Sequence, residues 1–214
     1  VQGYGNAGSI AARLFYDAGG TIVAVSDSRG GISNDKGLDP RAVFAHKEET
    51  GSVVGYPGAT AISNEDVLTY ACDILIPAAL ECQVRSDNAH NVKAKLIVED
   101  ANGPLTAAAD EILQRNGVVV LPDILANAGG VVVSYFEWVQ NLENQHWDLE
   151  KVHKRLKAKM YRAVDETVDR FIELEDRHEK GLNRERSGPT LRDAALVSAI
   201  HRIATVVLQR DIWP

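Results

Sequence analysis

The feature that most constrains this chain is a glycine-rich turn close to its start, Gly3-Tyr4-Gly5-Asn6-Ala7-Gly8. The spacing is G-x-G-x-x-G, in which the glycines allow a tight turn, close approach of the backbone to a pyrophosphate, and close packing of a helix on a strand. The first N–H groups of that helix then face the phosphates. Glycine-rich turns are common, so the prediction of a dinucleotide site depends on what surrounds this one.

The residues after the turn continue a dinucleotide-binding pattern. Residues 9–18 predict a short helix closed by Gly19-Gly20, and residues 21–26 predict a buried strand of β-branched residues. That strand leads to Asp27, about 20 residues past the turn, where a carboxylate can accept hydrogen bonds from an adenosine ribose. Only Val1-Gln2 precede the turn, so we expect the first strand of the motif to be truncated.

Short apolar strands and capped helices alternate over the next hundred residues. Further strands are predicted at 73–77, 96–98 and 118–121, while residues 28–37 are predicted to be a polar, glycine-rich loop. Helix starts are predicted at Asp39 with Pro40 in the first turn, at Ser63 or Asn64, and at Thr106, with stops at Gly51 and Gly117. This alternation predicts an α/β fold, Rossmann-like and doubly wound, with a mostly parallel sheet and helices on both faces.

In such a sheet, ligands bind outside the carboxyl ends of the strands. Five loops are expected at those ends: the glycine turn, Asp27-Ser28, Ala78-Ala79, Asn102-Gly103 and Asn127 to Gly130. The sequence therefore predicts that these loops converge on one rim, where a dinucleotide can lie across them.

Beyond about residue 131 the strand signals stop and helical periodicity replaces them. Apolar residues recur every three or four positions from Val152 to Phe171, and Thr190 with Asp193 predicts a capping box for a final helix. The charged stretch 175–188 is predicted to be a solvated connector. We expect a dinucleotide-binding domain over residues 1–134 and a helical C-terminal extension over residues 135–214 that packs against it.

Composition excludes several other classes of protein. A net charge of −7 and the expected absence of a basic stripe argue against nucleic-acid binding, and no apolar run approaches the about 18 residues that a membrane span needs. Cys72 and Cys82 fit no metal or redox spacing and are predicted to be two buried thiols, as is typical of a reducing cytoplasm. The histidines form no paired ligand pattern, so no metal site is predicted.

Several blocks of this sequence occur together, in the same order, in a known family. They are the glycine turn 3–8, Val25-Ser26-Asp27-Ser28, the stretches 77–81 and 101–104, Asp123 to Val131, Val133 to Trp138, and Arg210 to Pro214. In these blocks the chain resembles the C-terminal, cofactor-binding half of the glutamate/leucine/phenylalanine/valine dehydrogenases. The stretch Ser134-Tyr135-Phe136-Glu137-Trp138 favours the glutamate branch. The resemblance covers nearly the whole chain.

The resemblance implies reversible oxidative deamination of L-glutamate to 2-oxoglutarate and ammonia, with hydride passing to a nicotinamide cofactor. The turn residues Gly3, Tyr4, Gly5, Asn6, Ala7 and Gly8 would hold the pyrophosphate. Asp27 would hold the adenosine ribose, Ser28 beside it would be a further cofactor-binding residue, and Ala78 and Ala79 would line the cofactor groove. Asn102 and Asn127 would contact the nicotinamide riboside and its carboxamide, and Ser134 the substrate side-chain carboxylate. Without the resemblance, both asparagine stretches would be interpreted as turn chemistry.

The resemblance also implies what this chain lacks. The family carries its catalytic lysine and aspartate on an N-terminal substrate domain, so no catalytic residue is expected here and the isolated chain is predicted to bind cofactor without turnover. NAD is the favoured cofactor because Asp27 should repel a 2′-phosphate, but Ser28 and Arg29 leave NADP or dual use open. A leucine, valine or phenylalanine dehydrogenase and a non-catalytic dinucleotide-binding module stay open as alternatives. Family members are typically hexamers, so a homo-hexamer is expected of the full-length protein.

Overall fold

The computed structural model describes residues 1–182 and 188–210, which form two compact units, Val1–Asp123 and Ile124–Pro214. The first unit is α/β and the second is helical. Within the described residues, every helix is too short or too polar to cross a membrane.

The first unit holds six strands in two three-stranded sheets. The strands are β1 (Ile22–Asp27), β2 (Gly30–Leu38), β3 (Thr60–Ile62), β4 (Ile74–Leu75), β5 (Leu96–Val98) and β6 (Val119–Leu121). The order β1-β2-β3 is antiparallel throughout, whereas β4-β5-β6 is parallel throughout. The prediction of parallel pairing is therefore confirmed for the second sheet and wrong for the first.

The backbone of Gln2 lies between the two sheets. Gln2 forms a parallel bridge with Ser26, at the end of β1, and a second parallel bridge with Pro77, just after β4. Its N–H donates to the Ile76 carbonyl at 2.9 Å, and its own carbonyl accepts from the Ala78 N–H at 2.7 Å. The short stretch before the glycine turn thus pairs as a strand on both of its edges.

The first unit also contains four helices. They are α1 (Asn6–Asp17), α2 (Pro40–Thr50), α3 (Asn64–Leu68) and α4 (Ala107–Arg115), with a 3-10 turn at Ala89–Asn91. The predicted caps are confirmed: the Asp39 side chain accepts from the first turn of α2, Ser63 forms a capping box on α3, and Thr106 caps α4. Two apolar clusters fill the unit, one around Tyr4, Val25 and Ile32 and the other around Leu75, Ile97 and Leu113.

Two local predictions for this unit are wrong. Residues 28–37 are not a loop, because Gly30–Leu38 forms β2, whose Gly31, Ile32 and Ser33 are buried between β1 and β3. Cys82 is exposed rather than buried, and it lies in the left-handed region at φ 52°. Cys72 is half-buried, and both thiols are free.

The second unit contains the predicted helices. They are α6 (Gly129–Glu143), α7 (Leu149–Glu179) and α8 (Leu191–Gln209), and the short α5 (Asp123–Ala126) begins where the first unit ends. The capping box of Thr190 with Asp193 is confirmed at the start of α8. Residues 175–179, predicted as connector, continue α7 to Glu179. Residues 183–187 of the predicted connector and residues 211–214 of the last resembling block lie outside the described residues.

Candidate functional site

Two glycines of the turn are required by packing. Gly3 has φ 92°, and a Cβ there would lie 2.7 Å from the Ala78 carbonyl oxygen. A Cβ on Gly8 would lie 1.9 Å from the Gly3 carbonyl oxygen and 3.2 Å from the Ala78 Cβ. The first turn of α1 therefore rests directly on Gly3 and Ala78, and no side chain larger than hydrogen fits at either glycine without a shift of the backbone.

Gly5 differs from both, because it faces open space. A Cβ on Gly5 would meet nothing within 4 Å, and its φ of −83° and ψ of −158° are available to any residue. Gly5 is the N-cap of α1, no side chain caps this end of the helix, and Gly5, Asn6 and Ala7 are exposed. The first N–H groups of a helix have no partner within it, so α1 presents uncapped donors and the positive end of its dipole to an open surface.

Tyr4 anchors the turn from inside the unit. Its side chain is 1% exposed, and its hydroxyl donates to the Pro40 carbonyl at 2.8 Å. Lys47 Nζ donates to the Tyr4 carbonyl at 2.5 Å. Burial is the main cause that raises the pKa of the Tyr4 hydroxyl well above its usual value. Because this ring lies in the core, only the Tyr4 backbone is available to a ligand at the turn.

The Asp27 carboxylate is buried and held by its own unit. It accepts from the Arg29 N–H at 2.8 Å, the Val53 N–H at 2.7 Å and the Ser52 hydroxyl at 3.2 Å. Burial alone would raise the pKa of Asp27. These hydrogen bonds and the charge of Lys47 outweigh it and lower that pKa below its usual value, so the carboxylate is ionised at neutral pH. Ser28, the next residue, is exposed.

The loops after β4 and β5 lie beside the turn. Ala78 is half-buried against Gly3 and Gly8, and Ala79 is exposed. The loop after β5 is tied to the one after β4, because the N–H of Ala101 donates to the Pro77 carbonyl at 2.9 Å. In the same loop, the Gly103 N–H donates to Asp123 Oδ2 at 2.8 Å, and Asn102 is exposed. The first unit thus brings together the turn, Asp27, the two alanines and the loop of Asn102.

Asn127 and Ser134 belong to the second unit, where their placement is described by itself. Asn127 is half-buried between α5 and α6. Ser134 is exposed on α6, and its hydroxyl donates to the Gly130 carbonyl one turn earlier at 3.2 Å. The meeting of these two residues with the rim of the first unit stays a prediction. The described residues contain no group of three or more histidine, cysteine or acidic side chains that could hold a metal ion.

The sequence reasoning missed the residues that hold the site in place. Lys47 and Ser52 come from the end of α2 and the segment after it, and Asn64 accepts from the Ser26 hydroxyl at 2.9 Å. Each contacts a residue more than 20 positions away along the chain, so no local pattern could identify it. The sequence offers one signal, since Ser26 is a polar residue at the end of the buried strand predicted over residues 21–26. Ser26 and Ser52 are both buried in the structure.

Comparison with known proteins identifies the relatives of this chain. The model of the Glutamate/Leucine/Phenylalanine/Valine dehydrogenase family matches residues 1–210. The "NADP-specific glutamate dehydrogenase A1" of Halobacterium salinarum is 51% identical over 215 residues, covering 100% of this chain and 49% of that protein. The "Glutamate dehydrogenase" of Thermotoga maritima is 46% identical, with the same coverage.

Among solved structures, a hetero-hexameric glutamate dehydrogenase from Thermus thermophilus in a Leu-bound form superposes with a TM-score of 0.86 at 32% identity. That match covers 100% of this chain and 47% of the other. This chain therefore spans about half the length of the relatives it matches.

Proposed function

Because this chain belongs to the Glutamate/Leucine/Phenylalanine/Valine dehydrogenase family, we propose that it is the dinucleotide-binding part of a glutamate dehydrogenase. The full-length enzyme would convert L-glutamate, NAD(P)⁺ and water to 2-oxoglutarate, ammonia and NAD(P)H. The substrate assignment is supported by relatives named glutamate dehydrogenase at 46% and 51% identity over the whole of this chain. The domain assignment is supported by the geometry of the glycine turn.

That geometry is the single observation that carries the proposal. The turn has two glycines whose Cβ positions are filled by neighbouring backbone and one, Gly5, whose Cβ position is open. The open position lies at the uncapped N-terminus of α1, where N–H groups and the helix dipole favour a pyrophosphate. The residues present therefore fit a dinucleotide. When bound, its nicotinamide would accept the hydride.

The fold proposal is that the two sheets act as one doubly wound sheet. Gln2 pairs with Ser26 on one edge and with Pro77 on the other, so the order would run β3-β2-β1, the Gln2 strand, then β4-β5-β6. The glycine turn then follows the central strand, and Asp27 follows its neighbour. Within this arrangement, residues 1–134 would bind the dinucleotide and residues 135–214 would form the helical extension.

The cofactor preference follows from Asp27. Its ionised carboxylate has three protein donors and, with about four lone-pair sites in all, keeps capacity for a ribose hydroxyl. Its negative charge would repel a 2′-phosphate, which favours NAD. The exposed Ser28 and Arg29 could instead bind that phosphate, and one relative is named NADP-specific. We therefore keep dual use within the proposal.

The remaining roles follow the family resemblance. Asn102 and Asn127 would contact the nicotinamide end, and Ser134 would contact the substrate carboxylate. The catalytic base would lie in the half of the relatives that this chain does not cover, so this chain alone would bind the dinucleotide without oxidising glutamate. The full-length protein would form a homo-hexamer; the Thermus thermophilus relative is described as hetero-hexameric, which supports six subunits.

Titration calorimetry with NADH and with NADPH tests the proposal. The chain should bind at least one of them, and Asp27→Ala should weaken the binding of NADH more than the binding of NADPH. A chain that binds neither contradicts the cofactor role, and equal loss for both contradicts the ribose role of Asp27. In a separate assay, glutamate-dependent reduction of NAD⁺ or NADP⁺ by this chain would overturn the claim that it lacks turnover.

A further inference from the structure

The first half of α7 carries a concentration of positive charge that the proposed function does not use. Between positions 151 and 162 it has six lysine or arginine residues and no acidic residue, although the whole chain has a net charge of −7. These cations are Lys151, Lys154, Arg155, Lys157, Lys159 and Arg162. The expectation that the chain lacks a basic stripe is wrong for this stretch.

Helix formation does not account for this charge. Cations near the N-terminus of a helix oppose its dipole, and α7 begins at Leu149. Like charges three or four residues apart repel each other, as Arg155 and Lys159 must, and Lys159 and Arg162. The charges therefore work against the stability of α7 in the absence of an anion.

Three of these cations line one cleft of the second unit. The cleft has a volume of about 710 Å³ and lies between α6, α7 and Arg202 of α8. Val132 and Val139 supply part of its apolar wall. Its size falls within the range of small-molecule sites, roughly 300–1,000 Å³. Arg155, Lys159 and Arg162 project from the α7 side.

The charges of these three residues are not neutralised. Glu166, also in the cleft, forms an ion pair with Arg202, so those two charges cancel. Within residues 1–182 and 188–210, no carboxylate lies within 4 Å of Arg155, Lys159 or Arg162. Aromatic rings position two of them instead.

The aromatic contacts hold the cations without removing their charge. The Arg155 guanidinium lies 4.0 Å from the centre of the Trp147 ring, and the Lys159 ammonium lies 5.8 Å from the centre of the Tyr135 ring. The Trp147 ring also packs on Phe136 with 5.7 Å between ring centres. The Trp147 indole N–H is buried and has no acceptor in the described part of the chain, so its signal reports on the ring that holds Arg155.

The spacing of the cations identifies the class of ligand. Arg155, Lys159 and Arg162 occupy positions i, i+4 and i+7, which spreads three charges over about 10 Å along one face of the helix. A single phosphate cannot meet both ends of such a row, whereas a chain of phosphates can. Arginine also binds phosphate oxygens in a bidentate manner. We propose that this cleft binds a small polyphosphate anion, a site independent of the dinucleotide turn.

Calorimetric titration of the whole chain with inorganic tripolyphosphate at low salt tests this site. The variant Arg155→Gln/Arg162→Gln removes two charges that line the cleft. The matched control, Lys154→Gln/Lys157→Gln, removes two charges from the same helix that do not line it. We expect the dissociation constant to rise by about tenfold or more in the first double variant, since charged hydrogen bonds are lost, and by less than about twofold in the control.

A second readout locates the anion. In the ¹⁵N-labelled chain, the indole N–H signal of Trp147, assigned with Trp147→Phe, should shift on addition of tripolyphosphate. Circular dichroism checks that the variants keep their helices, and Lys159→Gln replaces the arginine double variant if that one unfolds. The proposal is overturned if the chain does not bind tripolyphosphate, if both double variants lose the same affinity, or if the Trp147 signal stays in place.

Discussion

The two units of this chain are stabilised in different ways. In the first, buried polar groups and apolar clusters surround the candidate site, so Gly3, Gly8 and Asp27 are each fixed by residues distant in sequence. In the second unit, the helices are specified by local sequence, namely caps and the spacing of apolar residues. Several large apolar side chains of this unit are exposed, among them Val131, Trp138, Leu142, Ile200 and Ile203. Substitutions at buried positions of the first unit should therefore have large effects transmitted through packing, and those in the second unit smaller, local ones.

The largest expected effect is that of Gly8→Ala. In an ordinary helix this change stabilises by up to about 1 kcal/mol. Here the new Cβ would lie 1.9 Å from the Gly3 carbonyl oxygen, so we expect a loss of about 3 kcal/mol in the free energy of unfolding. Urea unfolding followed by circular dichroism measures it.

Gly130→Ala is the matched control in the second unit. Gly130 also lies in the first turn of a helix, but a Cβ there would meet nothing within 4 Å. This change should be neutral or slightly stabilising. If Gly8→Ala and Gly130→Ala lower the free energy of unfolding by the same amount, the contrast between the two units is wrong.

The next largest effect is expected from Asp27→Ala. We expect the free energy of unfolding to fall by about 2 kcal/mol, because the buried N–H of Val53 and the buried hydroxyl of Ser52 lose their acceptor. The contribution of the Asp27 carboxylate to the free energy of unfolding should also depend on pH. The pKa of Asp27 is lowered in the folded chain, so the carboxylate stabilises the fold fully above its unfolded pKa of about 3.9. That stability is lost as the pH falls through the lowered folded pKa.

Thermal unfolding of the chain and of Asp27→Asn between pH 7 and pH 3 measures this dependence. The melting temperature of the chain should exceed that of Asp27→Asn by a constant amount near neutrality, and this difference should shrink below about pH 4. A difference that grows on acidification would show that the carboxylate is not stabilised by its neighbours.

A smaller effect is expected in the second unit from Thr190→Ala. The Thr190 hydroxyl accepts from the Asp193 N–H at 3.1 Å, and the Asp193 carboxylate accepts from the Thr190 N–H at 2.8 Å. Loss of this capping box should lower the free energy of unfolding by about 1 kcal/mol. Hydrogen exchange should show the change in the first turns of α8, with the amides of β1 unaffected. A loss of protection in β1 would contradict a local effect.

The smallest effect is expected from Lys95→Ala on the surface of the first unit. Lys95 pairs with Asp73 at 3.1 Å, but both side chains are 84% exposed. An ion pair this exposed contributes less than about 1 kcal/mol to the free energy of unfolding. A larger change in urea unfolding would mean that position in the first unit, rather than burial, determines the cost of a substitution.

The same contrast explains what could be predicted from the sequence. The caps at Asp39, Ser63, Thr106 and Thr190 were predicted correctly because a cap is specified within about four residues. The glycine turn leading into a helix was predictable for the same reason.

Features set by distant pairing could not be predicted. The polar stretch Gly30–Leu38 becomes a strand only because β1 and β3 pair with it, so its composition suggested a loop. Cys82 is exposed in a loop whose backbone pairs with a distant segment, since its N–H donates to the Gly103 carbonyl at 2.8 Å. Two of the three donors that hold Asp27, on Ser52 and Val53, come from a segment 25 and 26 residues away, and no periodicity points to them.

The most direct test of the central claim, that a dinucleotide lies against the open side of the turn, is NADH affinity in Gly5→Val. The valine Cβ would meet no atom within 4 Å, and the φ and ψ of Gly5 are available to valine, so the free energy of unfolding should change by about 1 kcal/mol or less. Its side chain would occupy the space of the pyrophosphate, and NADH should bind at least about tenfold more weakly. Unchanged NADH affinity in a folded Gly5→Val chain would contradict the account.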